Sequence, residues 1–90
     1  MKRMRSKNFK AKFSERLVLA RTMAGYQTQE AFAIALDVGA TRYGHYERGR
    51  SAPSMELLAT IAKLTECSID WLVAGYGPPR RKPTALQSSE

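Results

Sequence analysis

Few side chains in this sequence could do covalent chemistry, and those few do not cluster. The chain holds one histidine, His45, and one cysteine, Cys67. Neither stands in a spacing that binds a metal or builds a nucleophile–base pair. No phosphate-cradling glycine loop and no paired-carboxylate site is visible, so neither an enzyme nor a cofactor or metal is expected. What recurs at regular spacing is hydrogen-bond donors and cations. Thr28 and Gln29 open one short helical pattern, Ala40, Thr41, Arg42 and His45 fall on one face of the next, and Arg48 and Arg50 flank Gly49 after it. Hydroxyl, amide, guanidinium and imidazole groups in that order suit a polyanion with hydrogen-bonding edges, that is, phosphates and bases.

Charge supports that reading. The formal net charge of +7 is uneven along the 90 residues. Residues 1–12 hold Lys2, Arg3, Arg5, Lys7, Lys10 and Lys12 and no acid, residues 13–77 are close to neutral, and Arg80, Arg81 and Lys82 lie in the tail. Three parts follow: a basic flexible arm over 1–12, a folded domain over 13–77, and a disordered basic tail over 78–90. Basic arms bind polyanions, nucleic acid first among them, or act as solubilising ends. A lone cysteine excludes an internal disulfide and suits a reducing cytoplasm; Cys67 reads as a small buried filler. No apolar run is long enough for a membrane span or a signal peptide. Ninety residues make one small domain.

The elements that must position these groups are five helices and no strand. Ser14 is a good N-cap for a first helix ending near Ala24, with Gly25 as its stop. Leu17, Ala20 and Ala24 share a face, and Arg21 falls on the same stripe, where a charge requires an acidic partner. Thr28 caps a second helix, Gln29 to Leu36, with Phe32, Ala33 and Leu36 inside. Asp37, Val38 and Gly39 form a break. A third helix runs from Ala40 to Glu47, with Tyr43 inward and Ala40, Thr41, Arg42, Gly44 and His45 outward. Ser54 caps a fourth helix to about Leu64, with Leu57, Leu58, Ile61 and Ala62 inside. Ser68 caps a short fifth, Ile69 to Ala74, ended by Gly75. Gly77, Pro78 and Pro79 then exclude regular structure.

Two short helices separated by a tight break, with polar groups on the second, are the pattern of a helix-turn-helix, which lays one helix in the major groove of DNA. TQEAFA at 28–33, YERGRSAPS at 46–54, LLATIAKL at 57–64 and SIDWLVAG at 68–75 stand in fixed order. With these pieces, residues 13–75 resemble the Cro/repressor class, the lambda-repressor-like (XRE) family of phage and bacterial regulators. The resemblance implies an all-α, five-helix DNA-binding domain whose helices 2 and 3 form the motif. It implies that Gln29 contacts a phosphate and braces the recognition helix, and that Glu47 pairs with Arg21 as a structural ion pair. It puts Arg48 and Arg50 near the backbone across the groove. On general grounds Thr28, at a helix N-terminus, suits a phosphate as well. Base readout then falls on Ala40, Thr41, Arg42 and His45. Arg42 either reads guanine or holds a phosphate, and His45 either donates to a base or phosphate or is a plain surface residue. Lys2, Arg3 and Arg5 would add phosphate contacts from the arm.

This sequence departs from the family pattern at four positions. Gly39 stands where the family has a hydroxyl cap, Gly44 lies inside the recognition helix, and Asp37 and Glu66 replace glycine after helices 2 and 4. Gly44 either leaves that helix loosely held until DNA orders it or allows close approach of the DNA backbone. Val18, Leu19, Met23, Ile34 and Ala35 sit where related domains are often charged. They form either a surface for another protein or a seat for residues 1–12. Two functions follow from different classes. One is a sequence-specific DNA-binding transcriptional regulator, a repressor acting as a homodimer on a two-fold symmetric operator in the bacterial cytoplasm at the nucleoid. Trp71 is there the dimer anchor, or else plain core. The other is a protein-binding adaptor or antitoxin-like partner with secondary DNA contact.

Overall fold

The computed structural model describes residues 6–80, and these fold as five helices: α1 (Ser6–Met23), α2 (Gln29–Leu36), α3 (Ala40–Glu47), α4 (Met55–Thr65) and α5 (Asp70–Ala74). Among the described residues the only extended pairing is an antiparallel bridge between Cys67 and Arg80. No helix among them is long and apolar enough to cross a membrane.

Helices α2 and α3 have the bounds that local chemistry dictates. The Thr28 hydroxyl accepts the Ala31 N–H at 3.0 Å and so satisfies one orphan amide at the start of α2. Asp37 then turns left-handed, at φ 62°, and the Val38 N–H returns to the Ala33 carbonyl at 3.0 Å. Helix α4 repeats the device. Ser54 accepts from the Leu57 N–H at 3.1 Å, Glu66 turns at φ 57°, and the Cys67 N–H reaches the Ala62 carbonyl at 3.2 Å. Ser68 caps α5 by accepting the Trp71 N–H at 3.0 Å. This last helix is a single wide turn, whose closing Gly75 amide reaches back five residues to Asp70 as well as to Trp71.

The first helix corrects the sequence reading. It begins at Ser6, so Ser14 is not its cap but a buried interior residue whose hydroxyl donates to the Ala11 carbonyl at 2.8 Å. The cause is Phe9. It extends the apolar stripe of Phe13 and Leu17 by a further turn, stacks on Phe13 with ring centroids 6.2 Å apart, and packs on the core. Burial of one aromatic face is enough to continue a helix that no glycine or proline interrupts. Part of the expected arm is therefore helical, and residues 1–5 lie outside the described residues. The tail differs likewise at its start. Pro79 accepts the Ser68 N–H at 2.9 Å, so the chain returns to the body before residues 81–90, which also lie outside the described residues.

The core is built from α1 (Phe13, Leu17, Ala20), α2 (Phe32, Ala33, Leu36), α3 (Tyr43, Tyr46), α4 (Ile61, Ala62), Cys67 and Leu72. Leu57 and Leu58, expected inside, are half-buried at its margin. An edge-to-face aromatic chain crosses it. Phe32 meets Tyr43 at 5.5 Å and 85°, and Tyr43 meets Tyr46 at 6.1 Å and 89°. Ala33 is small where α2 crosses its neighbours and is almost fully buried. Arg16 fixes α5 to α1, its Nε and Nη2 donating to the carbonyls of Leu72 and Val73 at 2.9 and 3.0 Å.

The left-handed turn at Glu66 carries strain that a glycine would not. The conformation costs an L-residue roughly 1–2 kcal/mol, while glycine gives back about 0.5–1 kcal/mol through its freer unfolded chain. Glu66→Gly is therefore expected to raise stability by up to about 1 kcal/mol, read as a higher urea midpoint at unchanged slope. Asp37→Gly should gain less, because aspartate tolerates this region better.

Candidate nucleic-acid interface

The site begins with a buried charge. Glu47, the last residue of α3, has a side chain only 1% exposed. Arg21 from α1 donates Nε to Glu47 Oε2 at 2.6 Å and Nη2 to Oε1 at 3.3 Å. Gln29, the first residue of α2, donates Nε2 to Oε1 at 3.0 Å, and the Tyr43 hydroxyl donates to Oε2. Arg21 keeps Nη1 for the carbonyl of Tyr26 in the α1–α2 turn, at 2.9 Å. Among the described residues no buried side-chain polar atom lacks a partner. One carboxylate thus ties the base of α3 to α1, to the start of α2 and to the turn between them.

The electrostatics follow from burial. The Tyr43 phenol is held well above the ordinary tyrosine value, first because burial disfavours its anion and second because its proton is bound to Glu47. Arg21 is raised as well, chiefly by its hydrogen bond to Glu47.

With Tyr43, Gly44, Tyr46 and Glu47 buried, the opposite side of α3 is left to solvent. Ala40, Thr41 and Arg42 are exposed there and His45 is half-exposed, so the structure brings these four predicted residues together on one face. Gly39 gives α3 no side-chain cap, and the Tyr43 N–H to Gly39 carbonyl bond of 2.9 Å closes the first turn. Thr28 and Gln29 stand at the start of α2, the threonine exposed and the glutamine half-buried. Arg48 and Arg50 are exposed in the loop. Lys2, Arg3 and Arg5 lie outside the described residues.

Gly44 does not face outward. It is buried, and the Arg48 guanidinium folds back over it. A Cβ at Gly44 would meet both terminal nitrogens of Arg48 at 3.0 Å. The missing side chain lets the arginine four residues on lie flat along the helix. Gly49 is demanded by its φ of 76°; a Cβ there would make only ordinary contact with the Lys10 carbonyl at 3.6 Å and Ala11 Cα at 3.7 Å, which places this loop beside the first turns of α1. Three features escaped the sequence reading. Tyr46 is buried. Tyr43 is a hydrogen-bond partner of Glu47 as well as a core residue. Glu56 shares with Arg42 and Thr60 the lining of an open groove between α3 and α4. The last had a signal, an acid in the first turn of α4, but nothing local says that it shares a groove with Arg42. Trp71 is half-buried against the core. Leu19, Met23 and Ile34 are exposed, Ile34 at 79%.

The sequence profile of the helix-turn-helix family matches residues 20–72, from the buried face of α1 to Leu72 in α5. The chain belongs to the XRE-type helix-turn-helix family. The HTH-type transcriptional regulator DicA of Escherichia coli (strain K12) is 34% identical over 68 residues, covering 70% of this chain and 50% of that protein. The SPbeta prophage-derived uncharacterized HTH-type transcriptional regulator YonR of Bacillus subtilis (strain 168) is 35% identical over 63 residues, covering 70% of this chain and 57% of that protein. The chain thus spans about half the length of these curated relatives. All five helices, with no strand among the described residues, agree with the all-α fold of the family.

The burial of Tyr43, together with its bond to Glu47, makes stability depend on alkaline pH. The folded chain keeps the Tyr43 proton well past pH 10.0, the ordinary tyrosine value, at which the unfolded chain loses it. The unfolded state then binds fewer protons, so stability is complete below that value and falls above it, by about 1.4 kcal/mol per pH unit for this group. Urea midpoints measured from neutral pH to one unit above the tyrosine value should decline more steeply for the wild type than for Tyr43→Phe. At neutral pH Tyr43→Phe should itself be less stable by about 1 kcal/mol, having removed one donor from Glu47.

Proposed function

We propose that this chain is a sequence-specific DNA-binding transcriptional regulator, a repressor that binds a two-fold symmetric operator as a dimer. The observation that carries this reading is the asymmetry of α3. One side is locked at its base through Glu47, and the other offers Ala40, Thr41, Arg42 and His45 together to solvent. A rigid helix with an uncommitted polar face is what major-groove readout requires. Arg42 reads guanine through its two acceptors, Thr41 meets a base edge or a thymine methyl, Ala40 gives apolar contact, and His45 donates to a base or phosphate. Thr28 and Gln29 meet a phosphate at the start of α2, and Arg48 and Arg50 meet the backbone beyond the groove. Lys2, Arg3 and Arg5 add phosphate contacts. Trp71 on α5 anchors the dimer, with recognition helices about 34 Å apart, one turn of DNA. Occupancy would block polymerase on the bacterial nucleoid. Both relatives are named HTH-type transcriptional regulators, which supports the regulatory part of this reading.

A second reading is favoured by the exposed Leu19, Met23 and Ile34: a protein-binding adaptor or antitoxin-like partner with secondary DNA contact. Selection of bound sites from a random duplex pool at near-physiological salt separates the two. A recovered symmetric site supports the dimeric regulator and gives its half-site spacing. Retention that is salt-sensitive and sequence-blind overturns it in favour of the adaptor.

Two variants test the residue roles. On a selected site, Arg42→Ala should cost about 1–3 kcal/mol of binding and relax specificity at one position. Gly44→Ala should split stability from binding. It gains about 0.8–1 kcal/mol of helix propensity but makes the Arg48 guanidinium shift from its seat over residue 44, so the melting temperature holds or rises while DNA affinity drops.

A further inference from the structure

The family match starts at residue 20, yet α1 begins at Ser6. The first turns of α1 therefore lie outside the matched segment, and they are tied to the loop that leaves α3. Gly49 packs against the backbone of Lys10 and Ala11, and Phe9 holds the same turn to the core through Phe13. Helical register adds a direction. Lys10 shares its face with Ser14, Leu17 and Arg21, all buried, and Arg21 on that face reaches Glu47 at the end of α3. Lys10 continues this face past the edge of the core, where it is only half-buried, alongside the loop that carries exposed Arg48 and Arg50. Lys12, two residues on, is exposed on another side of the helix. No acid precedes Glu15 in the sequence. Among the described residues the one ion pair is Arg21–Glu47, so none of their carboxylates pairs with Lys10, Arg48 or Arg50.

We infer that Lys10 completes a phosphate-binding ridge with Arg48 and Arg50, and that this part of the N-terminal segment meets DNA as a docked helix and not as a free arm. The ridge rests on the reading of the chain as a DNA-binding protein, and its partner is the phosphate backbone whatever the base sequence. Three cations held on two packed elements cost little entropy to order, unlike cations on a free tether, and each phosphate neutralised releases counterions.

The test is the salt dependence of binding to a short random-sequence duplex, followed by fluorescence anisotropy for the wild type, Lys10→Gln and Lys12→Gln. The two variants remove the same charge from the same helix. Lys10→Gln is expected to lower the slope of log affinity against log salt by about 0.9, the value for one phosphate contact on duplex DNA, and to weaken binding alike on every sequence. Lys12→Gln should change the slope by well under half of that. Equal effects of the two would mean diffuse attraction and overturn the ridge, as would no effect of Lys10→Gln or a larger effect of Lys12→Gln. If no sequence-specific site emerges from the random pool but the Lys10 effect on the slope is found, the operator reading fails while the ridge stands.

Discussion

A carboxylate buried at the end of the recognition helix is the constraint on which the rest of this structure depends. Alone, the Glu47 charge could not be taken out of water at tolerable cost. Arg21, Gln29 and Tyr43 together fill both of its oxygens. Removing one partner of such a pair costs about 3–5 kcal/mol, a large part of the stability of a small domain, whereas an apolar replacement of the whole cluster can be neutral. The network therefore does more for geometry than for net stability. Its donors come from α1, α2 and α3 itself, so α3 cannot rotate or slide without breaking several bonds at once. Arg21 extends the tie to the Tyr26 carbonyl in the α1–α2 turn. The aromatic chain from Tyr26 through Phe32 to Tyr43 packs directly beside it and excludes the water that would weaken it.

How much of this was legible in the sequence depends on how local each cause is. Thr28, Ser54 and Ser68 act within three residues of themselves, so the starts of α2, α4 and α5 could be read from the chain. Asp37 and Glu66 are placed at helix ends by the family resemblance, since they stand where the family has glycine, and both adopt the left-handed turn that glycine would. The Arg21–Glu47 pair spans 26 residues. Periodicity says only that Arg21 needs an acid; the resemblance to the family supplied which one. The start of α1 was misread because six cations outweigh a lone phenylalanine in composition, while in space Phe9 reaches Phe13 and decides the matter. The orientation of Gly44 was misread for a related reason. Its neighbours in the helix are polar, but burial there comes from Arg48 folding back, a contact invisible until side chains have positions.

The outward residues of α3 are a different case. Side-chain types identify Thr41, Arg42 and His45 as donors, and the fold gathers them with Ala40 on one face, but no side-chain hydrogen bond or ion pair among the described residues fixes where their tips point. Among the described residues Arg42 makes no ion pair, and Glu56 only shares a groove with it. Under the proposed function, specificity would be carried by groups that the protein leaves under-determined, and affinity by groups attached to its most rigid parts.

That separation has a physical basis. Substituting an outward residue of α3 disturbs no core contact and no donor of Glu47, so it changes stability by little. Gly44 breaks the pattern, since it stands between the two sides. The same absence of a side chain weakens the helix and admits the Arg48 guanidinium against it. A domain of this size has few kilocalories to lose, yet it keeps a glycine inside its central helix and left-handed acidic residues at the ends of two others. The buried cluster around Glu47 makes this tolerable. It holds α3 from its C-terminal end, so the helix does not depend on its own propensity, and the position under Arg48 is released from stabilising the fold to shaping the surface.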